Sequence, residues 1–244
     1  MKRAVSLIVV ILILGFLLII LYNSVSKVYP FNWKVIQKYW KLFLDGLFTT
    51  LTISGIALCF SVIIGFFIAL ARKSKSYIFQ DFGMIYVWFF RNLPLLVIIL
   101  LIYYGFGSIV NIERFWAGVI SLSLFEGAYV GEIIRAGIEA VPPGEVEAGY
   151  SLGLKKGQIY YNIILPQAFK ISIPPLIGQL VSLVKDSSLV SVIALGDLTM
   201  RARQIGNQTL ASMESYLVLA AFYLTITSLL SFAGRIIERR FKVS

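Results

Sequence analysis

Four ionisable residues, Arg91, Glu126, Glu132 and Arg135, lie in stretches otherwise apolar enough for a bilayer. A charge at the bilayer centre costs roughly 3 kcal/mol or more, so such residues mark pathways or neutralise one another. Glu132 and Arg135 are three residues apart, neighbours on one helix face, and read as a structural pair near the end of a span. Arg91 adjoins Asn92 and precedes Pro94, whose missing N–H frees backbone groups. It offers a fixed positive charge to a solute carboxylate or to an internal acid such as Asp81. Glu126, followed by Gly127 and Ala128, sits near the middle of its apolar run and must meet a cation, either Arg91 or the ammonium or guanidinium of a solute. Asp186 can take a solute ammonium or pair with Lys185 in water.

Covalent and metal chemistry have little to work with. Histidine is absent and Cys59 is the single cysteine, which removes the commonest general base and any internal disulfide. No G-x-x-x-x-G-K-[ST] run is present to cradle phosphates. No catalytic residue, no metal site and no nucleotide bound by this chain are therefore expected.

A second polar feature is the island EAGYSLGLKKGQIYYNIILP, residues 147–166. Pro142, Pro143 and Gly144 stop the run before it, and acidic residues then restart a short helix. Gly153 bends the island, Lys155 and Lys156 rim it, and Pro166 anchors its end. Such a two-helix elbow can carry force from a soluble partner into the span that follows, which makes it a coupling device on the cytoplasmic side.

The elements that position these groups are membrane spans. The 244 residues are 59% apolar and 14% charged, far from a soluble domain. Stretches of about 20 apolar residues, the length a hydrocarbon core demands, fall at 4–22, 44–71, 82–106, 115–140, 166–184 and 216–233. The first has no small-x-small cleavage site after it and reads as a retained helix, with a signal sequence as the alternative. The third carries Arg91 and a kink at Pro94. The net charge of +10 resides in Lys and Arg between or beside apolar runs, which fits anionic lipid better than nucleic acid. Their distribution modestly favours both termini in the cytoplasm. Trp33, Ile36, Trp40 and Phe43 recur at helical spacing among lysines, as in an amphipathic helix on the outer membrane face. Trp33, Trp40, Tyr103, Tyr104 and Trp116 fall where aromatic belts lie. Residues 185–214 are too polar to span and read as a re-entrant or surface-packed gate segment.

From about residue 43 to 239 the chain resembles the permease subunit of a type I ATP-binding-cassette importer, MetI-like, of the histidine, glutamate, glutamine, arginine and opine group. The resemblance rests on GLFTTLTIS, FFRNLPLLVIILLIYYG, GAYVGEIIRAGIEAVPPGEVEAGYSLGL, IILPQAFKISIPPLIGQLVSLVKDSSLVSVI and a basic tail. It implies an all-α integral membrane protein of about six transmembrane helices: a five-helix importer core over 43–240 plus an extra amino-terminal helix and outer-face segment over 1–42. The island becomes the family's EAA loop, about 141–166, in which Glu147, Ala148, Gly149, Gly153, Leu154, Lys155, Ile163, Leu165 and Pro166 couple to an ATPase. Gly149 stands where the family usually has alanine, which loosens the helix by about 1 kcal/mol. Lys185 to Ser188 match the family's K-D-[ST]-S segment, placing Asp186 and Ser187 on the substrate pathway with Arg91, Asn92 and Glu126. Implied partners are two ATPase subunits carrying ATP and Mg, a second permease copy or paralogue, an extracytoplasmic amino-acid-binding protein and the inner-membrane lipid of a prokaryote. An ion-coupled secondary transporter of amino acids, needing no partner, is the alternative.

Overall fold

The computed structural model describes residues 2–241. Met1 and residues 242–244, the end of the basic tail with Lys242, lie outside them. The described residues form no strand, as expected where backbone groups must be satisfied without water. In chain order the helices are α1 (Lys2–Ser26), α2 (Lys34–Lys38), α3 (Trp40–Arg72), α4 (Tyr77–Asn92), α5 (Leu95–Leu100), α6 (Gly107–Val110), α7 (Arg114–Glu139), α8 (Pro143–Ser151), α9 (Lys156–Ile159), α10 (Leu165–Asp186), α11 (Leu198–Thr209) and α12 (Ser212–Phe241). Two π-helical turns, Leu101–Phe106 and Tyr160–Ile164, and the 3₁₀ stretch Ser187–Ile193 join them. Among the described residues, four continuous helical runs are long and apolar enough to cross a membrane: Trp40–Arg72, Arg114–Glu139, Lys156–Ile193 and Ser212–Arg239. The pair Tyr77–Asn92 and Leu95–Val110 is long and apolar enough only when its two bent halves are taken together.

That break is larger than a proline kink. The two halves turn by 103°, because Leu93 and Pro94 are both extended, with ψ of 137° and 133°. A proline disfavours the helical region for the residue before it, and two successive extended residues end the hydrogen-bond ladder completely. The expected span over 82–106 is thus two helices meeting at a corner, with Arg91 and Asn92 on its rim.

The centre of the molecule is the packing of α3 on α7. Small residues let the backbones approach, as in membrane helix pairs generally. A Cβ built on Gly65 would lie 2.6 Å from Val130 Cγ1 and 2.8 Å from the Gly131 backbone nitrogen. Gly65→Leu is therefore expected to cost roughly 1–3 kcal/mol, read as a lower thermal midpoint in detergent; an unchanged midpoint contradicts the close contact. Ile53, Ala57, Leu122 and Leu183 continue this core, and Leu95 and Ile99 of α5 close it on one side. Tyr86 pins α4 to α7 by donating to the Leu124 carbonyl at 2.7 Å.

A second cluster joins Ile36, Phe43, Leu198, Ala202 and Ile205, with Phe222 and Tyr223 against it. Here the structure departs from a free amphipathic surface helix. Trp33 and Trp40 stay exposed, while Ile36 and Phe43 turn inward onto α11, and Trp40 and Phe43 already belong to α3. The segment 187–211 is a 3₁₀ stretch, a left-handed Ala194 (φ 55°) and then α11, which begins where Asp197 accepts from the Thr199 and Met200 amides at 3.0 and 3.1 Å. That side chain is a standard N-cap acceptor.

Candidate functional site

The elbow is built from local backbone chemistry. α8 starts with Pro143, whose missing N–H is not needed there, and carries Glu145 in its first turn. It ends in a Schellman motif: the Leu154 amide donates to the Gly149 carbonyl at 3.1 Å and the Gly153 amide to that of Tyr150 at 2.9 Å. Gly153 occupies the left-handed region, φ 77°, that the motif requires. The Lys155 amide then donates to Gln158 Oε1 at 2.8 Å, starting α9. Pro166 sits in the first turn of α10, after the π-helical turn that carries the chain past its ring.

The two arms close on Gly149. A Cβ there would lie 2.8 Å from Ile163 Cδ1 and 3.1 Å from Ile159 Cγ1. Both are side-chain atoms, and the Ile163 methyl is a flexible tip. Gly149→Ala is thus expected to keep the arms together and to stiffen α8 by up to about 1 kcal/mol, whereas Gly149→Leu separates the arms. Protease sensitivity of the elbow measured on both variants tests this; an equal rise in both contradicts the close contact at Gly149.

Glu147, Ala148, Lys155 and Lys156 are exposed on the elbow, Leu154 and Leu165 are half-buried, and Leu165 borders an apolar cavity of about 640 Å³ between α3, α7 and α10. Sequence reasoning missed Tyr150 and Leu152, 54% and 80% exposed at the tip. Their signal was legible: two bulky apolar residues flanking a turn have no place to bury. The elbow is tied back to the spans. Glu145 Oε2 and Gln167 Nε2 of α10 are 3.5 Å apart.

An ion network braces the same side. Arg135 Nη2 lies 2.5 Å from Glu132 Oε1, and Lys73 Nζ lies 2.6 Å from Glu139 Oε1. Arg72 also pairs with Glu132, and Arg135 with Glu139. The pair expected within α7 is therefore part of a five-residue bridge fastening the end of α3 to the end of α7, where the elbow departs.

Glu126, 1% exposed on α7, does not meet Arg91. Gln179 of α10 donates to its Oε2, Oε1 has no hydrogen-bond partner, and the Asp186 carboxyl interacts electrostatically with it. Ser61, Glu126, Leu176 and Gln179 border a cavity of about 300 Å³. Gln179 escaped the sequence reading because it lies 53 residues from its partner. Arg91 is exposed, 5.1 Å over the Tyr129 ring, forms no close ion pair among the described residues and acts on Glu132 electrostatically; Asp81 is exposed elsewhere on α4. Arg72, Trp88, Arg91, Asn92, Tyr129 and Glu132 border a second cavity of about 390 Å³. Asn92 donates to the Trp88 carbonyl at 2.7 Å. Ser187 is fully buried and donates to the Val184 carbonyl at 2.8 Å. The buried Glu126 carboxyl and the Tyr129 ring that lies under Arg91 of α4 thus stand within one turn of each other on α7.

Fold and site together define an integral membrane transport component. Residues 61–243 match the binding-protein-dependent transport system inner membrane components, and the chain belongs to that family. It is 37% identical over 214 residues to the probable glutamine ABC transporter permease protein GlnM of Bacillus subtilis (strain 168), covering 87% of this chain and 99% of that one. The L-cystine transport system permease protein TcyB of the same organism is 39% identical, over 85% of this chain and 90% of its own. Among solved structures, an amino acid ABC transporter crystallised with histidines matches with a TM-score of 0.84 at 38% identity, over 87% of this chain and all of that one. The MetNI methionine ABC transporter, 20% identical with a TM-score of 0.70, shares the fold.

Proposed function

We propose that the chain is the permease subunit of an importer that carries a polar amino acid across the cytoplasmic membrane, driven by ATP hydrolysed on a separate subunit. The observation that carries this reading is the elbow: a braced turn at Gly153 presenting Tyr150 and Leu152 outward, with its arms clamped through Gly149, Ile159 and Ile163. An exposed apolar tip on a rigid turn suits a groove on a soluble partner. Motion of that partner passes along α10 towards Gln179 and Asp186, and through Glu139 and Glu132 into α3. Two ATPase subunits, holding ATP and Mg, grip two such elbows, one here and one on a second permease copy or paralogue. This chain then contributes no catalytic residue. The elbow side is cytoplasmic, with both termini, and a binding protein delivers solute to the far side. ATP shifts the population between inward-facing and outward-facing arrangements.

The relatives named for glutamine and cystine support a polar amino acid as cargo. Glu126, with one oxygen held by Gln179 and the Asp186 carboxyl against it, receives an ammonium or guanidinium together with Asp186. Arg91 and Asn92, at the broken corner, receive the carboxylate, and Ser187 supports the turn behind Asp186. Affinity purification of the tagged chain from membranes in mild detergent tests the partnership: a nucleotide-binding subunit is expected to come with it. Recovery of active chain with no such subunit contradicts the reading.

A further inference from the structure

Glu214 stands in the first turn of α12 and is fully buried. Both of its oxygens take hydrogen bonds from far along the chain. The Tyr29 hydroxyl donates to Oε2 at 2.8 Å, and the Asn32 backbone amide donates to Oε1. A buried carboxylate without a cation is expensive unless it is hydrogen-bonded, so this site is built around donors of the segment between α1 and α2. The carboxylate beside it also raises the pKa of the Tyr29 phenol above its usual value, which keeps the hydroxyl a donor.

The same hydroxyl lies 3.2 Å from the Leu210 carbonyl oxygen. Leu210 is the left-handed residue, φ 59°, at which α11 turns into α12. A branched side chain seldom adopts that conformation, so the corner is held by its surroundings. Around Tyr29 the rings are contiguous: Tyr29 meets Phe31 edge-on at 5.2 Å, and Phe31 stacks on Tyr22 of α1 at 5.0 Å and on Trp33 at 5.7 Å. Ile36, a few residues on, packs against Leu198, Ala202 and Ile205 of α11. Moving α11 therefore means parting it from the amino-terminal segment, and the tightest polar contact between the two regions is at its corner.

We propose that Tyr29 and Glu214 form a latch through which the amino-terminal segment holds the α11–α12 corner in place and restrains α11, the helix of the gate segment. Both are positioning residues: neither touches solute, and their contact sets how readily α11 swings away. The proposal rests on the reading of the chain as an ATP-coupled permease and of segment 185–214 as its gate segment. A latched gate opens mainly when the partner's nucleotide cycle forces it, so releasing the latch spends hydrolysis without transport.

The test uses the permease with its ATPase in lipid vesicles, and two substitutions that preserve shape. Tyr29→Phe removes only the hydroxyl; Glu214→Gln removes the charge. Hydrogen exchange of amides 205–213, followed without ATP, is expected to rise about tenfold in either variant. ATP hydrolysed per solute accumulated is expected to rise about threefold to tenfold, with the quantity of inserted protein unchanged. Because the two groups share one hydrogen bond while Glu214 also holds the Asn32 amide and Tyr29 also reaches the Leu210 carbonyl, the double variant should fall short of the sum of the singles; fully additive effects overturn the latch. Unchanged exchange and an unchanged ratio in Tyr29→Phe also overturn it. A wild-type complex that accumulates nothing with ATP counts against the coupled-permease reading, while the exchange measurement still decides the latch.

Discussion

Gly153→Val is expected to reduce ATP-driven uptake about tenfold to a hundredfold while the protein still inserts and the α3–α7 core still forms. The left-handed conformation costs an ordinary residue roughly 1–2 kcal/mol, and a β-branched side chain makes it a genuine outlier. At φ 77° the Schellman bonds from Leu154 to Gly149 and from Gly153 to Tyr150 depend on that conformation. Their loss lets Leu152 and Tyr150 point away from the partner's groove, so the defect lies in transmission rather than in solute binding. Gly153→Asn is the control, because asparagine tolerates the left-handed region, and it should retain most of the activity. Uptake, ATPase recovered with the chain and membrane abundance are the three readouts. Full uptake in Gly153→Val removes the elbow from the mechanism.

Glu126→Gln carries the second large effect. The substitution keeps the size and the bond to Gln179 but replaces the other carboxyl oxygen, which would receive a solute cation, with an amide nitrogen. A hydrogen bond to a charged group is worth about 1.5–3 kcal/mol, so uptake of arginine should fall about tenfold to a hundredfold in kcat/KM. Glutamine, whose side chain is neutral, should lose less. Labelled arginine and glutamine measured on the same vesicles make the comparison. Unchanged affinity for both solutes takes Glu126 out of the path.

What could be read along the chain was local chemistry. Pro142, Pro143 and Gly153 act within a few residues of themselves, through a missing N–H or a positive φ, and the turn they imply is the turn observed; Pro166, expected to begin the next span, instead lies inside a helical run continuous from Lys156 to Ile193. Glu132 and Arg135 are near neighbours on one helix for the same reason. What escaped depends on partners far apart in sequence: Gln179 on Glu126 across 53 residues, Arg72 on Glu132 across 60, Tyr29 on Glu214 across 185. No periodicity announces such pairs. Magnitude escaped as well. Pro94 signalled a bend, but a turn of 103° needed Leu93 to be extended too, and whether it is depends on α5 packing Leu95 and Ile99 into the core. Ile36 turned inward because α11 offers it an apolar face that no nearby sequence provides.

The central claim is that the elbow transmits work done on another subunit. Purified chain in sealed vesicles, with and without the ATPase and ATP, measures it most directly. The account predicts concentrative amino-acid uptake only when the ATPase and hydrolysable ATP are both present, and none under an imposed proton or sodium gradient alone. Accumulation at full rate by the chain alone contradicts it.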